Sequence, residues 1–300
     1  MKKDYPISLT YLLTVLAMFF WSFAFIWVTQ AYQLGLKPFT VVFLRLVVAS
    51  VVLTFITKLM KINNTIEKKD YKLIFFLAFA EPFCYFLGES FGMLYVTPTL
   101  ASIIVSTIPL VAPIFALFIL HERIGLFEII GLLVSFAGVL ILVLNDLKIG
   151  GELKGVLLMC LAVLGGTAYM IILKLLASNY PALTITKYQT YIGMLLFMPL
   201  FFIFEFNEMI QEKTLNLNSF KYLFLLGALP SSFSFTFLAV AVRRLGVIKT
   251  NIFSNLIPVF VGLMAFIILK EEFKAVRIIA MGIVILGLFI SRIRMHKAHN

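Results

Sequence analysis

Long apolar runs, broken at intervals by short polar or charged stretches, dominate the pattern of this chain. A helix needs about 20 apolar residues to cross the hydrocarbon core of a bilayer. The runs have about this length, and the breaks carry Pro, Gly, Asn and charged residues that suit loops. The pattern predicts ten membrane-spanning helices, at residues 8–31, 39–58, 72–94, 98–120, 126–144, 154–176, 182–204, 219–241, 247–269 and 275–293.

Composition also indicates an integral membrane protein. Of the 300 residues 62% are hydrophobic and 13% are charged, whereas soluble domains carry about 25% charged residues. The net charge of +11 is explained by Lys and Arg in cytoplasmic loops. We expect no nucleic-acid partner, because no basic face is large enough to follow a duplex. Cys84 and Cys160 lie inside apolar runs and the His residues do not cluster, so no disulfide framework or metal site is expected.

One polar pattern occurs twice, at a separation of 149 positions. The first copy consists of Ser102, Ser106 and Pro109, and the second of Asn251, Asn255 and Pro258. At the same separation Glu122 corresponds to Glu271. The sequence therefore predicts two five-span repeats, residues 1–145 and 150–295. Because five is odd, the second repeat is inverted in the membrane, and inverted repeats are frequent in secondary transporters with a substrate site at the repeat interface.

The distribution of positive charge predicts the orientation of the spans. If both termini lie in the cytoplasm, the inside segments carry about twice as many Lys and Arg residues as the outside segments. We therefore expect a multi-pass protein of the plasma (inner) membrane that contacts membrane lipid. Its N and C termini would both be cytoplasmic.

Three segments together carry a resemblance to a known family. They read "WSFAFIWV", "PFTVVFLRLVVAS" and "PLVAPIFALFILHERIGLFEIIGLLVSFAGVLIL". The last joins a proline-led helix, an acidic residue and a helix with spaced glycines. With ten predicted spans in two halves, the chain resembles the EamA-type members of the drug/metabolite transporter superfamily. The resemblance implies transport of metabolites, often amino acids, through a central cavity lined by spans 1, 3, 4, 6, 8 and 9.

Three charged residues, Arg45, Glu81 and Glu89, lie inside predicted spans, where charge is costly and commonly functional. Glu81, Tyr85 and Glu89 follow one another at intervals of four and would share one helix face. A carboxylate there could meet a substrate ammonium group or carry a coupling proton, and Glu81, beside Pro82, is the leading candidate. The alternatives are an ion pair with Arg45 that fixes helix packing and, for Glu89, a charge at the rim of its span.

Other polar and aromatic residues complete the predicted site. The repeated Ser and Asn residues would either form hydrogen bonds between helices or contact substrate, and aromatic residues would line a pocket. The prolines would let helices bend, and the acidic residues at span ends would cap or anchor moving helices. The predicted substrate-binding residues are Trp21, Glu81, Tyr85, Glu89, Ser102, Ser106, Tyr169, Asn251 and Asn255, and the structural or gating residues are Arg45, Pro109, Glu122, Pro258 and Glu271.

The sequence favours a secondary transporter that exports small organic metabolites, amino acids or related small amphiphiles, by alternating access. A drug or nucleotide-sugar carrier of the same superfamily is the alternative within transport. A membrane enzyme or receptor is the other alternative, although no His, Asp or Glu cluster marks a catalytic centre. We expect no cofactor, because the sequence has no phosphate-binding loop, zinc pattern or triad order.

Overall fold

A computed structural model of the protein describes residues 6–62, 65–111, 126–146, 151–254, 256–271 and 275–290. Every regular element within these ranges is a helix. The α-helices are α1 Ile7–Gln33, α2 Pro38–Leu59, α3 Tyr71–Ala78, α4 Tyr85–Gly92, α5 Pro98–Val105, α6 Leu126–Asp146, α7 Gly151–Ala177, α8 Ala182–Phe204, α9 Phe206–Gln211, α10 Leu217–Ala228, α11 Phe235–Phe253, α12 Leu256–Leu269 and α13 Ala275–Ile290. The predicted all-α fold is confirmed.

Among the residues that the structure describes, six helical segments are long and apolar enough to cross a membrane. They are Ile7–Gln33, Pro38–Leu59, Lys68–Gly92, Leu153–Ala177, Ala182–Phe204 and Leu217–Val247. Four shorter apolar helices, Pro98–Val111, Ile129–Gly138, Leu256–Leu269 and Ile278–Gly287, lie where the sequence predicts spans 4, 5, 9 and 10. The chain is therefore a multi-pass helical protein, and the count of ten spans stays a prediction.

The helix starts follow ordinary capping chemistry. Pro38 and Pro98 occupy the first positions of α2 and α5, where a missing backbone N–H costs nothing and a fixed φ helps. Before α5, the hydroxyl of Thr97 accepts a hydrogen bond from the backbone N–H of Leu100 at 3.3 Å. Such local signals set the helix bounds close to the ends of the apolar runs.

Two spans are interrupted by π-helical segments, which have a wider turn than an α-helix. Phe79–Cys84 joins α3 to α4, and Leu229–Ser234 joins α10 to α11. Each contains a proline, Pro82 or Pro230, which cannot donate a backbone hydrogen bond to the preceding turn. In the first interruption Glu81 has an extended backbone, with φ −150° and ψ 120°. Interruptions of this kind occur frequently at functional sites.

Each interruption packs against long helices from the other half of the chain. The first contacts α7 and α8, and the second contacts α1 and α2, while α2 and α8 also pack along each other. Glycines permit this approach. A Cβ at Gly193 of α8 would lie 2.2 Å from Cγ of Pro82, and one at Gly227 of α10 would lie 2.5 Å from Cβ of Val48. The central residues of both interruptions are thus buried where the two halves of the chain meet.

Candidate functional site

A cavity lies beside the first interruption, between helices from both halves of the chain. The cavity has a volume of about 70 Å³, which is more than the space of about 10–15 Å³ that one water needs. The wall is mainly apolar and aromatic, and its charged members are Arg45, Glu81 and Glu89. An apolar concave site with a few polar groups is the usual form of a small-ligand site.

Arg45 is fixed on several sides of its guanidinium group. The residue is 1% exposed, and its Nε donates a hydrogen bond to Oγ of Ser231 at 3.0 Å. The guanidinium carbon lies 4.1 Å from the centre of the Phe86 ring, whose face attracts cations. Nη1 lies 3.9 Å from Oε2 of Glu89. Arg45 therefore links α2 and α4 to the second interruption, and its structural role stays a prediction.

Glu89 is buried in the cavity wall and has two partners. Its Oε1 accepts a hydrogen bond from the Tyr85 hydroxyl at 3.1 Å, and its Oε2 faces Arg45. A buried carboxylate needs such partners, because its charge is costly in apolar surroundings. With 4% of the residue exposed, Glu89 does not occupy the rim position that the sequence left open for it.

Glu81 lines the same cavity but has different surroundings from Glu89. It is 7% exposed, and within the described part of the chain no group donates a hydrogen bond to its carboxylate or forms an ion pair with it. Because the helix is interrupted at this residue, Glu81, Tyr85 and Glu89 do not follow one regular face as the periodicity predicts. They nevertheless meet at one cavity, with Glu81 as its unpartnered carboxylate.

Aromatic rings form much of the remaining wall. Trp21 and Tyr169 both line the cavity, and each packs edge-to-face on Phe235, at 5.3 and 5.8 Å between ring centres. Phe86 lines it too. The sequence predicts Trp21 and Tyr169 but not Phe86, because nothing in the pattern distinguishes one phenylalanine among 32.

The predicted Ser102 and Ser106 lie away from the cavity lining. Both are fully buried, and their hydroxyls donate to carbonyl oxygens of their own helical segment, Thr99 at 2.8 Å and Ile103 at 2.7 Å. These bonds are within the segment rather than between helices, so neither alternative for the two serines describes them fully. Their role in substrate binding stays a prediction.

The other predicted residues divide by where the structure describes them. Pro109 lies in helical residues 108–111 and Pro258 in α12. Oε2 of Glu271 accepts a hydrogen bond from the Thr99 hydroxyl at 2.9 Å, which joins the end of α12 to the start of α5, the kind of contact expected of an anchoring residue. The remaining positions lie outside the described residues or have side chains that are not described, and they are Glu122, Asn251 and Asn255.

A second polar cluster joins the start of α2 to the end of α8. The Glu205 carboxylate accepts hydrogen bonds from the backbone N–H groups of Phe39 and Thr40, at 3.1 and 2.7 Å, and from the Thr40 hydroxyl at 2.8 Å. A carboxylate at a helix N-terminus satisfies free N–H groups there and interacts well with the helix dipole. Beside it, Lys37 pairs with Glu208, and this hydrogen bond raises the pKa of Lys37.

The start of α8 is held in a comparable way. The Tyr180 hydroxyl donates a hydrogen bond to Oδ2 of Asp70 at 2.5 Å, and this bond raises the pKa of Tyr180. The start of α2 is therefore bonded to Glu205, directly after α8, and Tyr180, just before α8, is bonded to Asp70, directly before α3. Sequence reasoning missed Glu205, because it lies in a polar break and looks like an ordinary loop residue.

The helical fold and the apolar spans define a multi-pass membrane protein, and the cavity is its candidate small-ligand site. The sequence model of the EamA-like transporter family matches residues 8–144 and again residues 153–293. The chain belongs to the EamA-like transporter family, within the drug/metabolite transporter superfamily. The names of the family and of the relatives indicate a transporter and not an enzyme.

Similar proteins support this assignment. The "Uncharacterized transporter YetK" of Bacillus subtilis (strain 168) is 28% identical over 258 residues, which cover 84% of this chain and 77% of that protein. An "Uncharacterized transporter" of Archaeoglobus fulgidus is 23% identical over 280 residues, or 93% and 97% of the two chains. A solved structure described as "Crystal structure of protein" has a TM-score of 0.68 at 16% identity and covers 94% of this chain and 96% of its own. This last likeness supports the fold alone.

Proposed function

We propose that this protein is a secondary transporter that moves small organic metabolites, amino acids or related small amphiphiles, out of the cell by alternating access. The observation that carries the proposal is the cavity that places the Glu81 and Glu89 carboxylates among aromatic rings between the two halves of the chain. An ammonium group of the substrate would meet a carboxylate, and its apolar body would lie against the rings.

Two inverted five-span halves, residues 1–145 and 150–295, form the second part of the proposal. The family model matches the chain twice, and the described residues of each half contain one π-helical interruption. The first interruption contacts α7 and α8, the first two helices of the second half, and the second interruption contacts α1 and α2, the first two helices of the first half. Exchanging the two halves would therefore turn one set of contacts into the other. Rocking of two such halves about a fixed site is a common mechanism of secondary transport.

A transport assay tests the function directly. Purified protein in proteoliposomes should move at least one member of a panel of amino acids and amines. Movement of nucleotide sugars alone would favour the alternative carrier class, and no movement of amino acids, amines, sugars or nucleotide derivatives would contradict the transporter proposal.

Proton coupling through Glu81 is a further part of the proposal, since a carboxyl group in an apolar cavity can alternate between a proton and a substrate cation. The titratable groups that face Glu81 are Arg45, Tyr85, Glu89 and Tyr169. The Glu81→Gln variant should lose proton-linked flux. An unchanged dependence of flux on pH in this variant would contradict the role of Glu81.

The proposed location is the plasma membrane, with both termini in the cytoplasm. In a variant without Cys84 and Cys160, a thiol reagent that does not cross membranes should label Lys213→Cys from outside intact cells and should not label Lys68→Cys. The orientation is proposed because positive residues near spans favour the cytoplasmic side. Labelling of Lys68→Cys from outside would contradict it.

A further inference from the structure

The charges of the cavity wall do not balance among the described residues. Arg45 supplies one positive charge, and Glu81 and Glu89 supply two negative charges. All three are buried, with 1 to 7% of each residue exposed. Because a buried charge costs free energy unless an opposite charge compensates it or a proton neutralises it, the cavity can take up one positive charge, a proton or a cationic ligand, beyond the charge of its described wall.

The charge of Arg45 is already paired within the protein. Its Nε is bound to Ser231, the Phe86 ring covers its face, and its Nη1 faces Glu89. Nη1 is also closed off from the open volume of the cavity. A negatively charged group that enters the cavity would therefore compete with Glu89 for Arg45, the one cation in the described part of the wall.

Glu81 is available to a ligand cation. Its carboxylate lines the cavity, is partly exposed to it and accepts no hydrogen bond from the described residues. Trp21 and Tyr169 line the same cavity, so a cation at Glu81 can carry an apolar group that packs on their rings.

We propose that the cavity selects small amphiphilic monocations, amines in which the carboxyl group is absent or replaced, over zwitterionic amino acids, and that the ammonium group binds Glu81. The proposal rests on the transport function above and narrows its "related small amphiphiles" to one charge class. A monocation neutralises the negative excess. A zwitterion leaves it in place and adds a carboxylate that competes with Glu89 for Arg45.

Four probes that share one aromatic ring and differ in charge test the proposal. 2-Phenylethylamine and phenylalaninol carry one positive charge at neutral pH, phenylalanine is a zwitterion and 3-phenylpropionate is an anion. Binding to the purified full-length protein in detergent can be measured by isothermal titration calorimetry. The two monocations should bind about ten- to a hundredfold more tightly than phenylalanine, the worth of one charged hydrogen bond, and 3-phenylpropionate should bind most weakly.

Variants then assign the effect to one carboxylate. Glu81→Gln keeps the size of the side chain and removes its charge, so it should weaken 2-phenylethylamine binding by about ten- to a hundredfold. Glu81→Asp should retain part of the affinity. Glu212→Gln, in the exposed loop after α9, is the matched control and should bind like the original protein. Thermal unfolding in the same detergent verifies that each variant is folded.

The outcomes separate this inference from the transport function. Binding of phenylalanine as tightly as phenylalaninol, or unchanged amine binding in Glu81→Gln, would overturn the charge selection and leave the proposed transport of amino acids standing. If none of the four probes binds and none moves in proteoliposomes, both the charge selection and the proposed amphiphile transport are contradicted.

Discussion

The two π-helical interruptions have the same length and similar packing but carry different polar side chains. In Leu229–Ser234 two of the three serines are engaged, since Ser231 accepts a hydrogen bond from Arg45 at 3.0 Å and Ser232 donates one to the carbonyl of Gly227 at 2.8 Å. The third, Ser234, is a buried uncharged hydroxyl without a hydrogen-bond partner among the described residues. In Phe79–Cys84 the polar side chain at the cavity is Glu81, which has no such partner among the described residues.

This difference separates what an interruption does for the fold from what it does for the site. A proline and a wide turn occur in both segments, so they belong to the architecture that brings the two halves together. The unpartnered carboxylate occurs in one segment only, so it is the part that a ligand can use. The two repeat halves proposed above would in this way share an architecture and still form one asymmetric site.

The largest effect is expected at Arg45, which connects α2 and α4 to the second interruption. Arg45→Met leaves Glu89 as a buried charge without its counter-ion and should lower the free energy of unfolding by about 3–5 kcal/mol. Unfolding by SDS in mixed micelles measures this change. The double variant Arg45→Met with Glu89→Gln should recover most of the loss. A loss below about 1 kcal/mol in the single variant would mean that the 3.9 Å pair contributes little, as weak pairs do.

The next effect concerns the glycines that admit each interruption. A Cβ at Gly193 would lie 2.2 Å from Cγ of Pro82, and one at Gly227 would lie 2.7 Å from the carbonyl oxygen of Arg45. Gly193→Ala and Gly227→Ala should each lower the free energy of unfolding by about 1–3 kcal/mol through overpacking.

Gly282→Ala is the control for this pair of variants. A Cβ there has no described heavy atom within 4 Å, and alanine favours a helix over glycine by about 0.5–1 kcal/mol. A destabilised Gly193→Ala with an unaffected Gly227→Ala would show that the two interruptions are not packed alike, and the comparison would then fail at the level of architecture.

Much of the fold follows from the length of the apolar runs. The predicted span 182–204 coincides with α8, Ala182–Phe204, because bilayer thickness and a preceding Pro181 define both ends. The interruptions could not be derived in this way. Pro82 and Pro230 are visible in the sequence, but whether a helix bends, ends or widens at a proline depends on what packs against it, here partly on Gly193.

Sequence reasoning could select those site residues whose chemistry is unusual within an apolar run. Trp21, Glu81 and Glu89 are polar or aromatic within apolar runs, and each lies at the cavity. Periodicity could not show that the Ser102 hydroxyl bonds its own backbone, since a short polar side chain can satisfy itself locally. Periodicity also gave no reason to select Ser231, because its hydrogen-bond partner, Arg45, lies 186 positions earlier in the sequence.

A smaller effect, of opposite sign at the two interruptions, is expected from removing one polar group from each. Ser231→Ala removes the acceptor of Arg45 Nε and should lower the free energy of unfolding by about 0.6–1.7 kcal/mol, the range of buried hydrogen bonds in membrane proteins. Glu81→Gln removes a charge that nothing in the described chain compensates, so it should leave stability unchanged or raise it. Both are measured by SDS unfolding. A large destabilisation by Glu81→Gln would reveal a structural role for this carboxylate and remove the contrast.

The smallest effect tests whether the second interruption supports its own geometry. Ser232 Oγ donates to a carbonyl five residues earlier, a bond that spans the wide turn, whereas Ser102 Oγ donates to a carbonyl three residues earlier within an uninterrupted helix. Both serines are fully buried. Ser232→Ala should cost about 0.6 kcal/mol, and Ser102→Ala should cost less, because its acceptor belongs to a regular helical turn. Equal losses in SDS unfolding would mean that the bond at Ser232 is incidental. The second interruption would then be held only by packing and by Arg45, as the first interruption is held by the close approach of Gly193 to Pro82.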